Sequence, residues 1–322
     1  MEEGQKWEKT TMFRWKMDYF EASKAYAEAA SLFKRAKTYG KYAAAQRSLA
    51  NCYYEQGRLL KAASEIDNAA LMVLNLGNDA KEAAGLYELS AEWYLEKGSV
   101  DRSSRALLKA AKALEKKEIK EASRLALKAL RIYPIVEKGH VQTMDTFSTA
   151  LGSLLRMQCF NEADELIQLQ LQQLSTNPKE YDRYIHKAWL SRVVIAFRQS
   201  DMVKASSCLD EAFTKVAGFT DSHFGKASRK LVDALSGSAP EAMDDIVKGP
   251  EFKVLDNEVA RIARKLNYDP KLSQSEGFLN FKTLSTKIAE ITGVEISSGV
   301  GGESKHSDGQ GGQHSTDDLD LT

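Results

Sequence analysis

The stretch from Leu49 to Ala69 constrains this chain more than any other. It reads Leu49, Ala50, Tyr53 and Gly57, then Ala62, Ile66 and Ala69. The first half sets apolar residues at i, i+1 and i+4, as a helix does, and Gly57-Arg58 breaks it. The second half opens a new helix whose small residues fall three and four apart, so they share one face. Small residues on that face let a second helix approach closely. Two helices joined by so short a turn make a hairpin, and a hairpin cannot bury its own apolar face. Copies along the chain must do so.

The copies are present. The pattern Ala-x3-large apolar-x2-Ala returns, with some substitutions, as Ala22/Tyr26/Ala29, Ala62/Ile66/Ala69, Ser103/Leu107/Ala110, Ala122/Ala126/Ala129, Ala163/Ile167/Gln170 and Ala205/Leu209/Ala212. The steps between copies are 40, 41, 19, 41 and 42 residues. The step of 19 fits two adjacent helices that both carry the pattern, so it marks a change of phase. The spacing resembles a tetratricopeptide repeat, with helices longer than its usual period of about 34 residues requires. Any Ala-rich bundle shows some of these offsets, but their regular return along the chain favours stacked hairpins.

Composition narrows the class further. The chain has 322 residues, 43% hydrophobic and 28% charged, with only five prolines. No alternating strand pattern stands out, which makes the class all-α. No apolar run reaches the roughly 18 residues of a membrane span, and MEEGQKWEKT lacks the apolar region of a signal peptide. Cys52, Cys159 and Cys208 are odd in number and far apart, so they read as small core residues in a reducing, cytoplasmic setting.

The expected architecture is a right-handed superhelical solenoid of hairpins over residues 19–216, closed by a C-terminal helical bundle over 217–292. Residues 1–18 form a separate N-terminal segment, and 293–322 form a disordered, acidic Gly/Ser/Asp-rich tail. Helices are expected from about Tyr19 to Lys37 behind a cap at Asp18, and in the bundle at 222–236, 240–248, 252–266 and 277–291.

The net charge is zero, yet charge is unevenly spread. Residues 97–138 hold twelve Lys/Arg against five Asp/Glu, whereas 293–322 hold one Lys against six Asp/Glu. That asymmetry suits two different partners, although a solvated helix face explains any single lysine equally well. Arg102, Arg105, Lys109, Lys112 and Lys116 advance by three or four and so form one stripe. Lys120, Arg124, Lys128 and Arg131 do the same on the next helix. Two adjacent stripes on a curved solenoid would suit an elongated acidic partner. Nucleic acid is a poor fit, because the stripes lack interleaved aromatics and the pI is about 7.0.

Residues 6–17 alternate large apolar side chains with cations, including Met12, Phe13 and Trp15. Rings beside cations suit a membrane surface, where aromatics sit at headgroup depth. Phe13 and Trp15 plugging the open end of the solenoid is the other reading. Asp317-Asp318-Leu319-Asp320-Leu321, set in a polar tail, reads either as a short recognition motif or as a solubility device.

An enzyme reading has no residues to stand on. His140, His186, His223, His306 and His314 are isolated, and none pairs with Cys or carboxylate at metal-ligand spacing. The Gly299–Lys305 stretch lacks phosphate-loop spacing and no strand precedes it. No cofactor is expected.

Several stretches taken in order resemble the soluble NSF attachment proteins, nearest to their gamma branch. Phe13-Arg14-Trp15-Lys16-Met17-Asp18-Tyr19, followed by Ala22, Tyr26, Ala29, Ala30 and Phe33, is similar to the family's F-x-W-K-P-D-Y lead into its first long helix. Ala62 to Ala70 stands where the family has its next Ala-rich helix. Gly218-Phe219 with Asp221-Ser222 resembles its G/A-F-x-x-S turn, and Pro250-Glu251-Phe252-Lys253 with Leu255-Asp256-Asn257 its P-L-F-K-x-x-D-N. Leu321 is penultimate after aspartates, as in the family. The resemblance covers about 6–270 and the last residues. Met17 stands in place of the expected Pro, few residues precede Met12, and the 297–316 linker is longer than in the family pattern.

The resemblance implies an adaptor. It would bind the SNARE four-helix bundle through a basic face, to which Arg105, Lys109, Lys112, Lys128 and Arg131 are assigned by charge and phase. It would recruit the hexameric ATPase NSF through the C-terminal bundle and tail, with Asp317, Asp318, Leu319, Asp320 and Leu321 stimulating it. Met12, Phe13 and Trp15 would touch the membrane peripherally, at Golgi, endosome or vesicle surfaces. The protein would be a monomer in solution, several copies gathering on one SNARE complex. A generic co-chaperone-like tetratricopeptide scaffold and an RNA-binding solenoid are the remaining alternatives.

Overall fold

A computed structural model of the chain describes residues 1–9, 17–133, 140–235 and 242–266. All lie within one compact unit, Met1–Phe278. Met12, Phe13, Trp15, the 277–291 helix and the whole acidic tail fall outside the described residues. Among the described residues every regular element is helical.

The helices follow one another as antiparallel neighbours. They are α1 (Glu2–Trp7), α2 (Tyr19–Arg35), α3 (Tyr39–Glu55), α4 (Leu59–Met72), α5 (Ala80–Glu96), α6 (Val100–Leu114), α7 (Ile119–Arg131) and α8 (His140–Arg156). Then come α9 (Phe160–Leu174), α10 (Pro178–Arg198) and α11 (Met202–Lys215). A single π-helical turn, Val73–Gly77, continues α4. Each helix from α1 to α10 packs on the next in the chain, so the hairpins stack into a solenoid with one layer of odd and one of even helices.

The small-residue pattern does what its spacing predicts. Ala62, Ala63, Ile66, Ala69 and Ala70 are fully buried. Helices approach closely enough that Ser90 Oγ donates to the Ala63 carbonyl at 2.9 Å and Ser103 Oγ to the Ala91 carbonyl at 2.7 Å. The first three copies of the pattern lie on α2, α4 and α6, and the last three on α7, α9 and α11. The step of 19 is therefore the passage from the even layer to the odd one.

Sharp stops set the rhythm. After α2, α3, α5, α8 and α10 comes a left-handed residue: Lys37, Gly57, Gly98, Gln158 and Ser200. In each case the next N–H reaches back to the carbonyl five residues earlier, as Arg58 N to Tyr53 O at 2.8 Å and Cys159 N to Leu154 O at 2.9 Å. These turns satisfy the helix-end carbonyls and reverse the chain within a few residues. At the start of helices, Asp18 accepts from the Phe20 and Glu21 N–H groups, and Asp201 accepts from that of Lys204.

The C-terminal bundle comprises α12 (His223–Leu235), α13 (Met243–Val247), α14 (Pro250–Lys253) and α15 (Asn257–Ala263). The helix expected across 252–266 is broken. Residues 254–256 interrupt it because Asp256 turns to the solenoid, accepting from Ser148 Oγ of α8 and lying 3.2 Å from Lys187 Nζ of α10. That tie seats α15 against α8 and α10.

Candidate functional site

The basic residues are placed by the two layers. Lys109 of α6 reaches back to Asp67 of α4 at 2.6 Å. Arg124 of α7 reaches Glu88 of α5 at 3.0 Å and also holds Glu121. Arg131 of α7 pairs with Glu165 of α9, and Arg156 of α8 with Glu115 of α6 at 2.6 Å. Apart from Arg124–Glu121 within α7, each of these pairs joins a helix, or the cap residue at its end, to the next helix but one. The α6 stripe thus belongs to the even layer and the α7 stripe to the odd layer. The expectation that both face one partner side by side is corrected: helices adjacent in sequence present their outer faces in opposite directions.

These pairs decide which cations are available. Arg105 is held by Asp101 at 2.5 Å on its own helix. Lys112 is exposed and Lys128 half-buried, and neither makes a salt bridge with a described residue. Their longer-range pull still acts: burial pushes Glu115 up, but Arg156, Ser153 and Lys112 outweigh it and hold that carboxyl below its ordinary range. Arg124 and Lys128 together lower Glu121 in the same sense, against burial. Of the five residues assigned to a basic face, two are free and three are already bound to carboxylates.

The N-terminal segment is clamped at its base. The Asp18 N–H donates to the Trp7 carbonyl at 2.9 Å, closing the connection between α1 and α2. Glu8 accepts from Tyr26 Oη at 2.9 Å and lies 3.6 Å from Cys52 Sγ. Tyr26 is fully buried beneath α1, and a Cβ at Gly4 would stand 2.6 Å from its ring. Burial, with Glu8 beside it, pushes the Cys52 thiol up to about 12, so this cysteine is an inert core residue. Sequence periodicity placed Tyr26 and Cys52 in the core; the role of Glu8 carries no sequence signal, because it depends on α1 folding back.

A second polar centre was not foreseen. Arg192 of α10 and Asp164 of α9 pair at 2.8 Å, both 7% exposed. Lys204 of α11 lies 3.2 Å from the same carboxylate, and the Arg192 guanidinium stacks 4.7 Å from the Trp189 ring. Burial raises Asp164, yet Arg192 and Lys204 prevail and hold it below the usual carboxylate range. These groups are far apart in sequence, and nothing in their spacing announces the contact.

The passage from solenoid to bundle is built on Phe219. Its ring is fully buried, 5.2 Å from His186 edge-to-face and 5.8 Å from Phe213. Ser222 Oγ accepts from the Gly225 N–H at 2.9 Å and starts α12. Burial lowers His186 below its ordinary value, with Asp182 opposing, so the ring is neutral near pH 7.

Nothing here converges on chemistry. Among the described residues no three His, Cys, Asp or Glu side chains gather to hold a metal, and no helix is long and apolar enough to cross a membrane. Two hollows remain. One of about 260 Å³ lies between α8 and α10 under Asp256, and a shallower one of about 720 Å³ lies between α12 and α13–α14.

Comparison with known proteins accords with this architecture. Residues 16–257 match the family model described as soluble NSF attachment protein, SNAP. The chain is 32% identical over 269 residues to a gamma-soluble NSF attachment protein of Dictyostelium discoideum, covering 83% of this chain and 81% of that protein. It is 25% identical over 267 residues to a gamma-soluble NSF attachment protein of Arabidopsis thaliana, covering 83% of this chain and 90% of that one.

Proposed function

The chain belongs to the soluble NSF attachment protein family, and we propose that it is a trafficking adaptor that binds assembled SNARE complexes and brings the NSF ATPase to them. NSF then separates the bundle so that its members are recycled. The single observation that carries this reading is the family match, which runs through the solenoid and into the bundle.

Within this reading, Arg105, Lys109, Lys112, Lys128 and Arg131 contribute to SNARE binding. Lys112 and Lys128 stand on opposite layers, so the one on the layer that faces the bundle engages directly, since no carboxylate has to be displaced from it. Lys109 and Arg131 exchange one carboxylate for another, so they add less affinity. Met12, Phe13 and Trp15 touch the membrane, and the Trp7–Asp18 hydrogen bond supports this by anchoring the segment at both ends. The acidic run Asp317, Asp318, Leu319, Asp320 and Leu321 docks on and stimulates NSF. The working sites are Golgi, endosomal and vesicle membranes, including ER–Golgi transport, with several copies on one SNARE bundle.

The test is ordered capture. Full-length protein is added to an immobilised, preassembled SNARE bundle, and NSF follows with non-hydrolysable ATP. NSF is expected to be retained only after the adaptor has bound. Of Lys112→Glu and Lys128→Glu made separately, the one on the bundle-facing layer is expected to weaken the first step, and Leu321→Ala to leave it intact while lowering ATPase stimulation. Failure of the wild-type chain to bind the bundle would overturn the reading.

A further inference from the structure

The hairpins give the solenoid two edges, one carrying odd-to-even turns and the other even-to-odd turns. On the second edge, α2 joins α3, α4 joins α5 and α6 joins α7. These junctions lie side by side. A Cβ on Gly77 would stand 3.4 Å from the Tyr39 Cβ, and Lys81 Nζ at the start of α5 is 3.7 Å from Glu118 just before α7.

Large aliphatic side chains stand out from each junction: Leu32 is 57% exposed, Leu71 48%, Leu76 50% and Ile119 47%. Cations flank them. The first junction carries Lys34, Arg35, Lys37 and Lys41, all exposed, and residues 32–41 hold no carboxylate. The third carries exposed Lys116, Lys117 and Lys120. None of these makes a salt bridge with a described residue. The carboxylates near the third junction are taken: Glu115 by Arg156, Glu118 by Lys81 and Glu121 by Arg124.

Helix stability does not account for this arrangement. Lys34 and Arg35 sit in the last turn of α2, where the helix dipole favours cations, but Lys41 and Lys120 sit in first turns, where it opposes them. The odd-to-even edge also exposes apolar side chains, Phe20, Leu60 and Leu95, and the cation Lys97, but most of its other cations are engaged. There Lys24 is held by Glu21 at 2.7 Å, Arg105 by Asp101, and Arg58 and Lys61 lie over the Tyr53 ring at 5.3 and 4.2 Å.

We propose that the even-to-odd edge is a docking surface for an anionic lipid bilayer. Its protruding aliphatic tips are separated by polar turns and set along a line, which suits a planar partner better than a protein helix that needs a continuous groove. Long unpaired cations beside such tips reach lipid phosphates while their stems stay in apolar contact. The residues of this surface are distinct from Met12, Phe13 and Trp15. The proposal does not depend on the adaptor function.

Vesicle flotation of the full-length chain tests it, using phosphatidylcholine vesicles with and without phosphatidylserine as about a third of the lipid. The chain is expected to float with the anionic vesicles and less with neutral ones. Lys37→Glu, Lys41→Glu and Lys117→Glu together are expected to lower the bound fraction more than about tenfold, since each cation near the surface is worth roughly fivefold. Leu32→Ser with Leu76→Ser is expected to lower it too, and Arg58→Glu with Lys97→Glu on the opposite edge to leave it unchanged. Thermal unfolding confirms that each variant is folded. A fourth protein, Phe13→Ser with Trp15→Ser, separates the two membrane readings. If it alone loses flotation and the edge variants float like the parent, the edge is overturned and the loop stands. If the edge lysines prove to serve an acidic helical bundle and not vesicles, the edge proposal is likewise overturned.

Discussion

Gly225 is held where a side chain does not fit. A Cβ there would lie 1.9 Å from the Phe219 carbonyl oxygen and 2.8 Å from its carbon, both backbone atoms that cannot swing aside. The close approach lets Ser222 cap α12 while Phe219 stays buried against His186. Gly225→Ala is expected to cost about 2–3 kcal/mol, as overpacking does. Urea unfolding checks it, and a variant as stable as the parent would show that the turn relaxes freely. The sequence pattern Gly218-Phe219-Thr220-Asp221-Ser222 did announce a turn ahead of the helix expected from residue 222. It did not single out Gly225, because the need for glycine arises from a backbone atom six residues earlier in the chain.

The helices are ended by a turn that recurs, and its left-handed residue varies. Gly57 and Gly98 occupy it on the odd-to-even edge, Lys37, Gln158 and Ser200 on the other. A side chain in that conformation costs about 1 kcal/mol relative to glycine. Gln158→Gly and Ser200→Gly are each expected to raise stability by about 0.5–1 kcal/mol, less the entropy that glycine adds to the unfolded chain. Thermal melting decides, and a fall in melting temperature would mean that the side chains make contacts worth more than the strain. The glycine stops are legible in the sequence as helix breakers. Breaks near Cys159–Asn161 and at Ser200–Asp201 are legible too, but not that Gln158 and Ser200 take the left-handed conformation, since most glutamines and serines sit in ordinary backbone.

At the scale of the molecule, two kinds of ion pair hold the layers. The exposed ladder, such as Asp67–Lys109, stitches helix to next-but-one helix in high dielectric, where a pair contributes about 0–1 kcal/mol. The Asp164–Arg192–Lys204 cluster joins α9, α10 and α11 out of solvent. Asp164→Leu is expected to destabilise by about 2–4 kcal/mol, because it removes the buried partner of Arg192 and leaves that charge only the half-exposed Glu211 at 3.4 Å. Asp67→Leu is expected to shift stability by less than about 1 kcal/mol. Guanidinium unfolding of the two variants side by side compares them, and equal losses would put the weight on the ladder. Acid acts in the same direction. Asp164 is held low in the folded chain, so its contribution is present above the unfolded carboxylate value and is lost as pH falls through the depressed one.

The order of residues alone carries the helical class, the hairpin repeat, the break at Gly57-Arg58 and the change of phase between Ala110 and Ala122. All of these follow from local spacing: small residues three and four apart select helix packing whatever lies further along the chain. Which charges are free emerges only when the helices pack. Arg131 and Lys128 look alike in sequence, yet one pairs with Glu165 of α9 and the other makes no salt bridge with a described residue. The tertiary structure also decided that neighbouring stripes look away from each other, that Glu8 anchors α1, and that Asp256 breaks a helix to reach Lys187. Contacts between residues distant in the chain depend on how layers stack, and layer stacking is a property of the assembled solenoid, not of any one repeat.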